Sequence, residues 1–127
     1  MPALWLRLDG LAMVRRMLTP HDIRRIALAL PEAYEEPHFE KASFRVAKKI
    51  FCTLHADQPR IMLKLDPEDQ HNLSDGDAIQ PVPGHWGRNG ATFVYYERLA
   101  PERLPGLMRL AWASVAPKRL VKAASPA

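Results

Sequence analysis

Between Ser43 and Leu65 the chain alternates apolar with polar residues in three short runs, Ser43–Val46, Ile50–His55 and Ile61–Leu65. A period of two is the pattern of half-buried strands. A helix is predicted ahead of them. Thr19 can cap it, Pro20 suits its first turn and Asp22 sits three residues after the cap. Ile23, Ile26, Ala27 and Leu30 then recur on one stripe, and Pro31 ends the helix. After the strands, Asp66-Pro67-Glu68-Asp69 reads as the start of a second short helix, dying near Asp75-Gly76. Two more strands follow, about 78–82 and 91–99. Pro81 and Pro83 put the first at an edge or bend, and Asn89-Gly90 is a tight-turn signal between the two. The last helix starts at Pro101 with a stripe of Leu104, Leu107, Met108, Ala111 and Val115. Pro117 interrupts it, and residues 118–122 add a basic turn. The predicted order is α-β(3)-α-β(2)-α. That is class α+β, a two-layer α/β sandwich whose antiparallel sheet carries helices on one face.

Strand parity assigns the faces. The core is expected to hold Phe44, Val46, Ile50, Leu54, Ile61, Leu63 and Leu65 with the two helical stripes, and Cys52 lies on the Ile50/Leu54 side. The open face then carries Arg45, Phe51, Thr53, His55, Met62 and Lys64. The last strand adds either Val94, Tyr96 and Arg98 or, in the opposite register, Phe93, Tyr95 and Glu97. Its polar residues are mainly basic, so this face is wet and positive.

At 127 residues one domain is expected, large enough to fold without a metal or disulfide staple. The layout read from the pattern is an N-terminal extension over 1–18, a single domain over 19–123 and a tail over 124–127. The rival for residues 1–16 is an amphipathic helix packed on the domain or on a partner. No run is apolar enough for a signal sequence or a membrane span. Cys52 is the only cysteine, which excludes an internal disulfide and fits a reducing cytoplasm. Net charge is +4, modest for a polyanion binder. Its distribution says more. Residues 41–64 hold six Lys or Arg and one acid, residues 98–122 the same, and the acids gather in Glu32–Glu40 and Asp66–Asp77.

Catalytic motifs are absent. His38, His55, His71 and His85 lack ligand spacing, and the sharpest metal reading, Glu35-Glu36/His38/Glu40, is explained by a solvated loop. Ser43, Ser74 and Ser114 sit in no elbow motif. The segment Gly84-His85-Trp86-Gly87-Arg88 stands out. Trp86 either anchors the loop to the sheet or, with His85 and Arg88, projects a stacking and charge-pairing tip.

The succession Thr19-Pro20, Leu30-Pro31, Glu36-Pro37-His38-Phe39, Ser43-Phe44-Arg45-Val46, Lys49-Ile50-Phe51, Leu63-Lys64-Leu65, Pro83-Gly84-His85-Trp86-Gly87 and Val115–Leu120 resembles the MmcQ/YjbR family over Thr19 to Ala123. The resemblance implies an α-β(3)-α-β(2)-α fold, related in shape to secretion chaperones and frataxin-like proteins. It also implies a DNA-binding label that rests on a double-winged shape. It supplies no catalytic residues. The turn Ala47-Lys48-Lys49 departs from the glycines that relatives carry there. Two functions stand. The first is a non-enzymatic protein that binds DNA weakly and salt-dependently through Arg45, Lys48, Lys49, His55, Lys64, His85, Trp86, Arg88, Arg98, Lys118 and Arg119. The alternative is a protein-interaction or adaptor module using the sheet face or the acidic segment. Neither reading requires a cofactor or a metal.

Overall fold

A computed structural model of the protein describes residues 5–8, 12–15, 17–55 and 57–124. Two short antiparallel strands, β1 (Trp5–Leu8) and β2 (Ala12–Arg15), occupy the segment for which an extension or an amphipathic helix was expected. Leu18, assigned by pattern to that extension, is 2% exposed and part of the core. Helix α1 (Pro20–Leu28) starts as its sequence dictates. Thr19 Oγ1 accepts from the Asp22 amide at 3.3 Å, and Asp22 Oδ2 accepts from the Thr19 amide at 2.9 Å.

The strands β3 (Tyr34–His38), β4 (Lys41–Val46), β5 (Lys49–His55) and β6 (Arg60–Lys64) follow, then α2 (Pro67–Leu73), β7 (Ile79–Pro81), α3 (His85–Arg88) and β8 (Ala91–Val94). A 3₁₀ turn at Pro101–Arg103 leads into α4 (Leu104–Val115) and α5 (Lys118–Ala124). The main sheet is antiparallel throughout, in the order β3-β4-β5-β6-β8-β7, and α4 packs on β4, β5 and β6. The fold is thus the α+β sandwich expected from the pattern, with four differences.

The acidic segment supplies one more strand, β3. Its Pro37 is tolerated because the strand lies at the sheet edge. The link from β7 to β8 is not a tight two-residue hairpin but a loop holding α3, with Gly90 at φ +104° after it. Strand β8 ends at Val94, short of residue 99, and Arg98 donates to the Tyr95 carbonyl in a turn. Finally, α5 runs through Ala124, where a tail was expected, and Arg109 donates to the Ala124 carbonyl at 2.6 Å.

The β4–β5 connection is a two-residue hairpin closed by Val46 and Lys49. Ala47 (φ +49°) and Lys48 (φ +69°) are both left-handed, the geometry that matches strand twist but which favours glycine. Tyr34 from β3 supports the turn, its hydroxyl accepting from the Lys48 amide at 3.1 Å.

Beyond that hairpin the register breaks once. Phe44 pairs with Cys52, yet Arg45 pairs with Ile50, so Phe51 is an extra residue in β5. This bulge reverses the parity expected at the start of the strand. Phe51 is 0% exposed in the core, whereas Ile50 is only half-buried and shares the open face with Arg45. A bulge permits this because the inserted residue restarts the alternation one position out of phase.

Candidate functional site

The pairings place three cross-strand rows on the face opposite the helices. The outermost runs His38–Lys41, His55–Arg60 and on to Tyr95. The Ala42–Leu54 pairing brings Lys41 level with His55, and Arg60 Nη1 lies 3.4 Å from the Tyr95 hydroxyl. The middle row is Ser43–Thr53–Met62–Phe93, and the innermost is Arg45–Ile50 with Lys64–Ala91. The last strand therefore adopts the Phe93/Tyr95 register of the two considered, with Val94 and Tyr96 buried in the core.

A groove of about 530 Å³ runs across these rows. Ile50, Thr53, Met62, Ala91 and Phe93 form its floor. His38 and Lys41 stand at one side, and Val82, Trp86 and Asn89 at the other. Trp86 is 72% exposed, so it is not the buried anchor that an indole ordinarily becomes. Its backbone is nonetheless fixed. A Cβ on Gly87 would stand 1.7 Å from the Val82 carbonyl oxygen, and one on Gly90 would stand 1.9 Å from that of Leu65. Buried Gln70 of α2 directs its amide nitrogen at the Gly87 and Ala91 carbonyls, at 2.9 and 3.0 Å, and at Thr92 Oγ1 at 3.1 Å. Lys64 Nζ donates to the Asn89 carbonyl at the end of α3. The indole is thus an exposed ring on a locked loop.

The outer row concentrates positive charge. Among the described residues no carboxylate forms an ion pair with Lys41, His55 or Arg60. Arg60 instead lays its guanidinium 3.8 Å above the Phe93 ring, and its buried Nε has no hydrogen-bond partner. Arg98 stacks in turn on Tyr95 at 4.6 Å. His55 meets Phe93 edge-on and shares a 2.9 Å hydrogen bond with Thr53 Oγ1. Burial, then the charges of Lys41 and Arg60, lower its pKa from 6.5 to about 4, against a smaller opposing pull from Asp57. At neutral pH this ring is uncharged and a weak base.

Elsewhere the chain's charge segregation cancels in space. Glu35 pairs with Arg24 at 2.7 Å, Glu36 with Arg45 at 3.7 Å, Glu32 with Arg119 at 3.3 Å and Asp77 with Arg98 at 3.4 Å. The acidic segment therefore neutralises basic residues of other elements, and among the described residues it forms no ion pair with Lys41 or Arg60.

Of the eleven residues singled out from sequence, His55, Lys64 and Trp86 converge on the groove. Arg45 shares its face but is held by Glu36 and Ser43. His85 and Arg88 flank Trp86 on α3, exposed, while Lys48 and Lys49 are exposed at the β4–β5 hairpin. Arg98 lies past Tyr95 and is paired. Lys118 and Arg119 open α5, which packs through Leu120 into the core on the helical side of the sheet. Residues that the sequence reading left out of its site are His38, Lys41 and Arg60. Their signal was position: each stands at a strand end, where antiparallel pairing brings them to one level. Cys52 is buried, which pushes its thiol pKa up and leaves it inert. Among the described residues no three metal-ligating side chains cluster, and no helix is long and apolar enough to cross a membrane.

Fold and groove together define a small α+β protein with an open antiparallel sheet whose uncovered face is concave and basic at one end. A crystal structure of similar fold, that of Deinococcus radiodurans protein DR2400 with a DUF419 domain, superposes with a TM-score of 0.61. It is 24% identical, over 73% of this chain and 75% of that one. A family model for YjbR matches residues 28–114, which include every residue lining the groove, and the chain belongs to the YjbR family. Comparison with curated proteins finds no match.

Proposed function

We propose that this protein is a non-enzymatic nucleic-acid-binding module of a reducing, cytoplasmic setting, and that the open sheet face is its binding surface. The observation that carries this reading is the two cations Lys41 and Arg60, set on either side of His55 with no ion-paired carboxylate among the described residues and bordered by an aromatic-lined groove. Cations that no carboxylate pairs are open to the phosphates of a polyanion. The exposed ring of Trp86 beside them supplies a stacking surface, as Phe93 already does for Arg60. A module of this kind needs no activated base, in keeping with a His55 ring that stays neutral near pH 7. The two unpaired cations beside an exposed indole favour a nucleic acid over the adaptor reading, because one nucleotide brings both a phosphate and a ring.

The test is salt dependence. Binding of a labelled oligonucleotide to the full chain is expected to be micromolar or weaker and to fall steeply with salt. Lys41→Gln is expected to reduce the slope of log K against log salt by about one unit. Flat salt dependence, or no binding at low salt, removes the reading.

A further inference from the structure

The groove behind the charged row is apolar, and a chain of phosphates alone gives no reason for it. Its floor of Ile50, Met62 and Phe93 faces solvent beside an indole held 72% exposed on a locked loop. Duplex DNA presents phosphates and base edges to a protein, while the ring faces stay stacked inside. An apolar floor with an exposed indole is complementary to the ring face of a base and not to its phosphate. From Arg60 to Lys64 is four residue steps along β6, roughly 13 Å of strand, which accommodates a nucleotide lengthwise, phosphate at the outer row and base toward Trp86. The volume of about 530 Å³ falls within the usual range of roughly 300–1,000 Å³ for ligand clefts.

We propose that the groove takes a single unpaired base, its phosphate lying over Lys41 and Arg60 and its ring against Met62 and Trp86, beside Phe93. This rests on the nucleic-acid reading above and sharpens it: the ligand is single-stranded nucleic acid, or a base extruded from a duplex, rather than the duplex itself. Specificity for unpaired strands follows from cost. Filling the groove from a duplex requires unstacking a base first, a cost of a few kcal/mol that an unpaired strand does not bear. The loop bearing Trp86 does not need ordering on binding, because Gln70, the Gly87–Val82 approach and the Lys64–Asn89 contact already hold it.

Fluorescence anisotropy with three labelled probes of one length separates the possibilities: oligothymidylate, the same backbone with abasic sites, and a duplex containing the strand. Titrated with the full chain at low salt, the intact single strand is expected to bind tightest. Trp86→Ala is expected to weaken it roughly 5- to 100-fold, the worth of one lost stack, while abasic-strand binding stays unchanged. Because the ring is exposed, the variant should keep the wild-type melting temperature. Equal affinity for intact and abasic strands, tighter duplex binding, or indifference to Trp86→Ala overturns base insertion and leaves the nucleic-acid reading intact. Salt-dependent binding of none of the three probes overturns both.

Discussion

The bulge in β5 makes a prediction that strand parity alone gets backwards. Unbroken alternation from Leu54 down to Ile50 buries Ile50 and exposes Phe51; the register shift between Phe44 and Arg45 reverses this. Phe51 is 0% exposed among the core residues, so Phe51→Ala removes most of a fully enclosed ring and leaves a cavity between sheet and helices. A loss of roughly 3–5 kcal/mol is expected. Ile50 is half-buried on the groove floor, and truncating it opens a surface that water already reaches. A full Ile→Ala core cost of about 2–5 kcal/mol is therefore reduced to about 1–2. Urea unfolding followed by far-ultraviolet circular dichroism resolves the two. With a slope of about 1–3 kcal/mol per molar urea, Phe51→Ala is expected to lower the midpoint by roughly 2 M and Ile50→Ala by well under half of that. The buried Trp112, whose Nε1 donates to the Pro31 carbonyl at 3.0 Å, gives a second probe by fluorescence. If Ile50→Ala costs more than Phe51→Ala, β5 keeps its alternation, the bulge is wrong, and the groove floor is wrong with it.

Trp86→Ala is expected to shift the melting temperature by less than a degree or two, since little apolar area returns to water; an acrylamide-shielded indole in a variant keeping only Trp86, or a core-sized loss of stability, would show the ring to be buried. His55 ties stability to pH. The native ring resists protonation until about pH 4, whereas the unfolded ring takes its proton near 6.5. The contribution is thus fully present above pH 6.5 and is lost as pH falls from there to 4. Discounted for solvent around a half-buried ring, it amounts to about 1–2 kcal/mol. Urea midpoints measured across this window are expected to fall more steeply for the wild type than for His55→Gln, and parallel curves would refute the assignment. An anion bound over the row raises the same pKa, so oligonucleotide affinity is expected to rise as pH drops below 6.

Local pattern carried most of the architecture. The capping box at Thr19, the α1 stripe Ile23–Ile26–Ala27 and the alternation of Ile61–Leu63–Leu65 are decided by neighbours in sequence, and each is found where the pattern puts it. The six basic residues of 41–64 were likewise visible as a composition. Their arrangement was not. Which cations remain without an ion pair depends on partners far along the chain: Glu32 reaches Arg119 and Glu35 reaches Arg24, while among the described residues no carboxylate pairs with Lys41 or Arg60. Such pairings follow from which strands and helices become neighbours, and a linear reading has no access to that. The short strand β3 was hidden for a similar reason, because Glu-Glu-Pro disfavours a strand unless it lies at an edge with β4 to pair with.

The sequence by itself determined the class of fold, the start of α1 and the central strands, because propensity, capping and periodicity act within a few residues. Only the tertiary structure decided that Phe51 turns inward and Ile50 outward, that Trp86 stands in water on a loop held by Gln70 and Gly87, and that His38, Lys41, His55 and Arg60 fall into one row. Register, bulges and close backbone approaches are set by contacts between segments tens of residues apart, and it is those contacts that convert a basic stretch of chain into a shaped site.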